Sequence, residues 1–128
     1  MALIAMAVWD TEENKRTQYT RRTLNALFPN VNMAKHDIHI VDNGSCEETK
    51  DELEYWKARN FITLHTLPDN IGTAKAINVA WQHRKKGQHA VKMDNDVIIH
   101  KKDWCDDLEK AIELDSNIGI IGLKRMRS

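Results

Sequence analysis

Asp94-Asn95-Asp96 sets two carboxylates two residues apart, directly after the run 89–93. Oxygen ligands of this kind suit a hard cation such as Mg2+ or Mn2+, which typically takes one or two carboxylates and completes its shell with substrate phosphates. The chemistry such an ion offers is neutralisation of a diphosphate leaving group. Asp94 and Asp96 are therefore the candidate metal ligands, and Asn95 a candidate substrate contact. By itself the tripeptide is weak, because a chain this rich in aspartate carries about one Asp-x-Asp by chance. Its weight depends on what gathers beside it.

Three further polar clusters have chemistry to offer. Asp42-Asn43-Gly44-Ser45 follows the apolar run 38–41. It is either a plain strand-to-helix turn, where Asp, Asn and Gly are favoured for conformation alone, or a carboxylate at a sheet lip that accepts a hydrogen bond from a nucleobase N–H. In the segment 70–78, Gly72 lets the backbone approach a ligand closely, and a helix start favours anions. Lys75 falls in that first turn, unfavourably placed against the helix dipole. It is either a solvated surface lysine or a partner for a nearby phosphate or carboxylate. Trp9-Asp10 closes the first apolar run, and Trp9 is placed to border a base pocket. The other tryptophans read as packing residues.

The remaining reactive side chains offer less. The six histidines are scattered: His36, His83 and His89 are expected at the surface, His39 within the sheet, and His100 is near enough to Asp96 in sequence to be a weak metal-ligand candidate. Cys46 and Cys105 both fall near helix starts, which can lower a thiol pKa, but neither has a neighbouring base and both are read as unreactive.

The elements that must position these clusters alternate along the chain. Strands are expected over 2–9, 37–42, 61–67, 89–93 and 118–123. The first is apolar without interruption, as in a strand covered on both faces. A helix from Thr17 carries Tyr19, Thr23, Ala26 and Leu27 on one stripe and stops at Phe28-Pro29-Asn30. A second starts at Ser45, which forms a capping box with Glu48 and sends Leu53, Trp56 and Asn60 inward. A third carries Ala74, Ile77 and Trp81 inward and ends at Lys85-Lys86-Gly87. A fourth, capped by Asp103, turns Trp104, Leu108, Ala111 and Ile112 to the core. This βαβαβαβαβ order predicts an α/β fold with an open, mostly parallel, Rossmann-like sheet flanked by helices. Ligands in such sheets bind outside the carboxyl ends of the strands. Asp10, Asp42–Gly44, Asp69–Gly72 and Asp94–Asp96 all fall at those ends, and that coincidence is stronger than any one cluster.

Composition bounds the function. The 128 residues make one domain with 41% hydrophobic and 30% charged residues, a globular balance. Lysine plus arginine equals aspartate plus glutamate at 19 each, which argues against a nucleic-acid partner. No apolar run approaches the roughly 20 residues that span a bilayer. Two cysteines without metal-type spacing or a disulfide framework imply a reducing, cytoplasmic setting.

Ile40-Val41-Asp42-Asn43-Gly44-Ser45, Asn70-Ile71-Gly72 followed by Ala76-Ile77-Asn78, and Met93-Asp94-Asn95-Asp96, in this order and at these separations, resemble family 2 glycosyltransferases of GT-A fold. The resemblance runs from the first strand to Leu123. It implies that Val8, Trp9 and Asp10 border the nucleoside, that Asp42 and Asn43 meet the base, commonly uracil, and that the Asn70–Asn78 segment, with Gly72, Lys75 and Asn78, supports base and ribose. It further implies that Asp94 approaches the ribose or sugar and Asp96 is the direct ligand of Mn2+ or Mg2+. The family usually has an arginine before the residue matching Asn78; here it is Ile77, leaving Lys75 as the basic residue available in that helix.

By the same resemblance the partners are a nucleotide-diphosphate sugar, most simply a UDP-sugar, and an acceptor hydroxyl on a glycan, lipid or protein. Enzymes of the family continue well past the metal motif, and their second half carries the acceptor site and the catalytic base. Residues 1–128 are therefore expected to be the nucleotide-sugar-binding part of a longer enzyme, the alternative being a natural short form that needs a partner. No catalytic base is expected among them, and alone they should turn over little or nothing. The closing residues 124–128 carry no cap or stop signal, and an exposed sheet edge would favour self-association. Two other readings compete. A sugar nucleotidyltransferase needs a glycine- and basic-rich loop after the first strand, whereas residues 10–16 begin acidic and lack glycine. A non-catalytic nucleotide-binding or interaction module would bind without metal.

Overall fold

The computed structural model describes residues 1–123. Strand β1 (Ala2–Val8) owes its unbroken apolar run to a place in the middle of the sheet. Ala2, Ile4, Met6 and Val8 point into one core and Leu3 and Ala5 into the other. Helix α1 (Thr17–Leu27) runs into a 3-10 turn at Phe28–Asn30, where Pro29 cannot supply the next helical N–H. Then follow β2 (Asp37–Asp42), α2 (Glu47–Ala58), β3 (Thr63–Thr66), α3 (Thr73–Trp81), β4 (His89–Lys92) and α4 (Trp104–Glu113).

The four strands form one sheet in the order β3-β2-β1-β4, and every pairing is parallel. Leu24 and Leu27 of α1, Leu53 of α2 and Trp104 of α4 pack on one face. On the other, Ala76, Ile77 and Ala80 of α3 lie against Leu3, Ala5 and Val41. The alanines on both sides let that helix sit close. The chain steps outward from β1 to β3 and then crosses back to place β4 on the far side of β1. That reversal opens a crevice at the carboxyl ends of β1 and β4, where residues 8–10 and 94–96 emerge.

Several local expectations change. Residues 118–123 form no strand; their apolar pattern suits one, but they make no ladder with β4. Ile120 is 93% exposed, and among the described residues β4 keeps one open edge. The closing residues 124–128 lie outside the described residues. The capping box at Ser45 and Glu48 does not form: Cys46 takes the N-cap position with no side-chain cap, because Ser45 Oγ is committed elsewhere. Asp103 precedes α4 in a left-handed conformation, also without a side-chain cap. On α1 the buried stripe is Thr17, Thr20, Thr23, Leu24 and Leu27, with Tyr19 exposed. Asn60 does not face inward either. It takes φ 62° just past α2, a left-handed position that asparagine tolerates. Ala74 is exposed, and α3 buries Ala76, Ile77 and Ala80.

His36 is a larger correction: expected at the surface, it is 2% exposed. The Ala2 N–H donates to its Nδ1 at 3.1 Å, leaving its Nε2–H to donate to Asp106 Oδ1 at 2.6 Å. This pair pins α4 to the amino end of the sheet. The bond from His36, backed by the Lys35 ammonium 3.2 Å away, holds the Asp106 carboxyl below its ordinary value. A carboxyl depressed in the folded state stabilises it above the unfolded value of 3.8, and that contribution is lost as pH falls through the lower folded value. Asp106→Ala strands a buried N–H and is expected to cost about 1–3 kcal/mol at neutral pH. In urea titrations the gap from the parent protein should shrink below about pH 3.8; a gap unchanged at pH 3 would refute the assignment.

Candidate functional site

The cleft at the crevice has a volume of about 440 Å3 and is walled by Val8, Trp9, Asn14, Arg16, Asn43, Asn70, Thr73 and Asp94-Asn95-Asp96. Beneath it Asp10 is fully buried. Thr20 Oγ1 and Thr49 Oγ1 donate to its Oδ2 at 2.5 and 2.9 Å, and Asn95 Nδ2 donates to its Oδ1 at 3.1 Å. Asn95 Nδ2 also reaches Thr20 Oγ1 at 2.9 Å. One carboxylate thus ties the end of β1 to α1, α2 and the loop after β4.

That anchor explains the Asp-Asn-Asp pattern. Asn95 is 8% exposed and turns inward, while the flanking Asp94 and Asp96 side chains turn out, 59% and 50% exposed. Lys92 Nζ lies 3.1 Å from Asp94 Oδ1, and Arg16 Nη2 lies 3.3 Å from Asp96 Oδ2. Arg16 also donates to Asn95 Oδ1 at 3.3 Å. Ion pairs this exposed are weak, so both carboxylates are available to a stronger cation. The donor set is oxygen only and supplied by two residues, which fits Mg2+ or Mn2+ sharing its shell with phosphates and not a soft ion.

The turn after β2 forms the opposite wall. Ser45 Oγ accepts the Asp10 N–H at 3.0 Å and donates to the Val8 carbonyl at 3.3 Å. Asp42 is 1% exposed; its Oδ1 accepts the Ser45 N–H at 2.8 Å and its Oδ2 the Lys50 ammonium at 2.9 Å. Asn43 reaches across to the next turn, accepting the Ile71 N–H at 3.0 Å and donating to the Gly72 carbonyl at 3.3 Å. Gly44 (φ +85°) lets the two turns meet, for a Cβ there would stand 3.2 Å from the Asp69 backbone and the Pro68 carbonyl. Gly44→Ala should therefore cost roughly 1–3 kcal/mol. A urea midpoint within error of the parent protein's would refute this.

Of the residues singled out in the sequence, Val8, Trp9, Asn43, Asp94, Asn95 and Asp96 meet at the cleft. Asp10 lies under its floor and Asp42 behind Asn43. Gly72 (φ +90°) begins α3 beside the cleft, while Lys75 and Asn78 are exposed along that helix. Asn14 and Arg16 also line the cleft, although the sequence of residues 10–16 shows only an acidic start and no glycine. Their signal is spatial: Asn14 accepts the Thr11 and Arg16 N–H groups, donates to the Trp9 carbonyl, and so folds the loop over the cleft. His100 is exposed. Cys105 is buried, and burial pushes its thiol up to about 12, as expected of an unreactive cysteine.

The chain belongs to glycosyl transferase family 2, whose sequence profile matches residues 13–127. Its fold is the α/β GT-A type, in the part that forms the parallel sheet. No curated protein sequence matches it. Residues 1–349 of S. aureus TarS superpose with a TM-score of 0.71 at 20% identity, over 89% of this chain and 33% of that one. The same TarS region in complex with UDP-GlcNAc gives 0.69 at 20% identity, over 89% and 32%. The mannosyltransferase PcManGT from Pyrobaculum calidifontis, in complex with GDP-Man and Mn2+, gives 0.73 at 18% identity, over 87% and 32%. The chain thus spans about a third of the length of these structures. Among the described residues no helix is long and apolar enough to cross a membrane.

Proposed function

We propose that this chain is the donor-binding part of a metal-dependent glycosyltransferase that takes a nucleotide-diphosphate sugar, with UDP as the nucleotide. The observation that carries the reading is the alternation at Asp94-Asn95-Asp96. Asn95 is clamped beneath the cleft, so the two carboxylates face the cleft on a fixed base, beside the exposed Trp9. Family membership and the nucleotide-sugar complexes of TarS and PcManGT support it.

In this reading Trp9, Val8 and Asn43 border the nucleoside, Asp94 and Asp96 hold Mn2+ or Mg2+, and Arg16 stands ready for the diphosphate once the ion claims Asp96. When bound, the ion supplies charge neutralisation for the departing diphosphate. Asp42 and Gly72 shape the turns beside the cleft. Lys75 and Asn78 meet the donor only if its base extends over α3. The sugar's acceptor is a hydroxyl, bound by parts of the enzyme beyond these residues.

Calorimetric titration with UDP, with and without Mn2+, tests the reading. Binding is expected to tighten when Mn2+ is present and to favour UDP over GDP. Binding of UDP that ignores the metal would leave a plain nucleotide-binding module, and no binding at all would defeat both.

A further inference from the structure

On the α3 face of the sheet, away from the cleft, three imidazoles meet. His39 is the third residue of β2, His65 lies in β3 opposite Val41, and His83 follows the end of α3. His39 and His65 are diagonal neighbours on the same face, with His39 Nδ1 2.9 Å from His65 Nε2. The His83 ring centroid lies 4.7 Å from that of His65 and 5.7 Å from that of His39. His39 is 8% exposed, whereas His83 is exposed on its turn.

Two imidazole nitrogens at 2.9 Å have two physical explanations. One is a single N–H···N hydrogen bond. The other is a shared ion: metal–nitrogen bonds of about 2.0–2.1 Å put two nitrogens about 2.9 Å apart at a right angle and about 3.3–3.4 Å apart at the tetrahedral angle, so a tetrahedral ion would part the two rings slightly. Both rings must then be neutral, and burial holds both below the ordinary histidine value, His39 at about 4. The neighbouring imidazoles act in the same direction. Neutral imidazoles suit Zn2+, Ni2+ and Cu2+, not the hard ions that the carboxylates of the cleft prefer.

We propose that His39, His65 and His83 form a second metal site, for a borderline divalent ion such as Zn2+, with His39 and His65 as the chelating pair and His83 closing over it. The site ties the edge strand β3 and the end of α3 to β2, so the ion's binding energy adds to the stability of this part of the fold. Two tighter groupings, in which all three donor atoms lie within 4.8 Å of one another, are already committed to other bonds, and His83 must turn its ring inward to join His39 and His65. In His36, Cys105 and Glu109, both His36 nitrogens are engaged and the thiol is held protonated. In His89, Glu109 and Glu113, His89 Nδ1 is bonded to Glu109 at 2.5 Å.

The test is calorimetric titration with Zn2+ at pH 7.5, with thermal unfolding alongside, on the parent protein and on His65→Ala, His65→Gln, His83→Ala and Asp96→Ala. The histidines replaced are partly or fully exposed, and circular dichroism checks that each variant folds. The parent protein and Asp96→Ala are expected to bind one Zn2+ here and to gain thermal stability from it. Each His65 variant should bind at least about 10–100-fold more weakly, the loss that even an outer-shell partner brings. His83→Ala should also weaken binding. Nitrogen hyperfine structure in the Cu2+ electron paramagnetic resonance spectrum should change in His65→Gln. No Zn2+ binding by the parent protein leaves only a hydrogen-bonded pair and overturns the proposal. So does binding that the His65 variants do not weaken, which would put the ion elsewhere.

Discussion

Asp10→Ala is expected to remove about 3–5 kcal/mol of folding stability, because three buried neutral donors lose the charged acceptor they share. The Asp10 carboxylate is fully buried and accepts from Thr20, Thr49 and Asn95. Alanine leaves three donors facing a void, and each buried donor without a partner costs about 1–3 kcal/mol. The hydroxyls can rotate and recover part of this, which keeps the total below a simple sum. For a domain of this size the loss corresponds to a fall in Tm of roughly 10–20 °C. Asp10→Asn keeps one carbonyl acceptor, and threonine hydroxyls can accept from its amide, so it should lose clearly less. Urea unfolding of the three proteins at pH 7 gives the comparison. A loss under about 1 kcal/mol for the alanine variant would mean that these hydrogen bonds do not hold the loop. Because Asn95 hangs from Asp10, metal-linked UDP binding should weaken as well.

Asp96→Ala is expected to show the opposite signature. Its side chain is half exposed and among the described residues its one ion pair is with Arg16, so stability should change by less than about 1 kcal/mol. The gain in UDP affinity that Mn2+ confers should disappear, a loss of at least about 10–100-fold when the ion is present. Without the ion the variant should bind UDP no worse than the parent protein, because Arg16 is then released toward the phosphates. Calorimetry in Mn2+ and in chelator separates these cases. A variant with an intact Mn2+ effect would remove Asp96 from the metal site, and an equal loss in chelator would point to a role in shape instead of metal binding.

These two aspartates show where sequence reasoning reaches and where it stops. The position of Asp96 at the cleft was legible: an Asp-x-Asp after a strand, at the same sheet edge as other polar strand ends, is a local pattern on a predictable element. The parallel sheet was legible too, since β1 carries apolar residues on both faces and each polar turn follows a strand. Asp10 was placed at the right edge, but nothing in its neighbours says that it turns inward. Its partners lie 10, 39 and 85 residues away, and spacing along the chain does not encode them. The same holds for Arg16, whose loop looks like charged connection until it meets Asn95.

Other features depended on tertiary contact in the same way. His36 looks like a surface residue until the Ala2 N–H and Asp106 take its two nitrogens. Residues 118–123 have the composition of a strand, but a strand exists only when a neighbour accepts its hydrogen bonds, and β4 does not pair with them. The sequence by itself determined the alternation of strands and helices, the family and the motif after β4, because apolar periodicity and turn chemistry act over a few residues. The tertiary structure decided the strand order, the crevice it opens and which carboxylate is buried and which faces the cleft. Those outcomes depend on hydrogen bonds between residues that only the fold brings together.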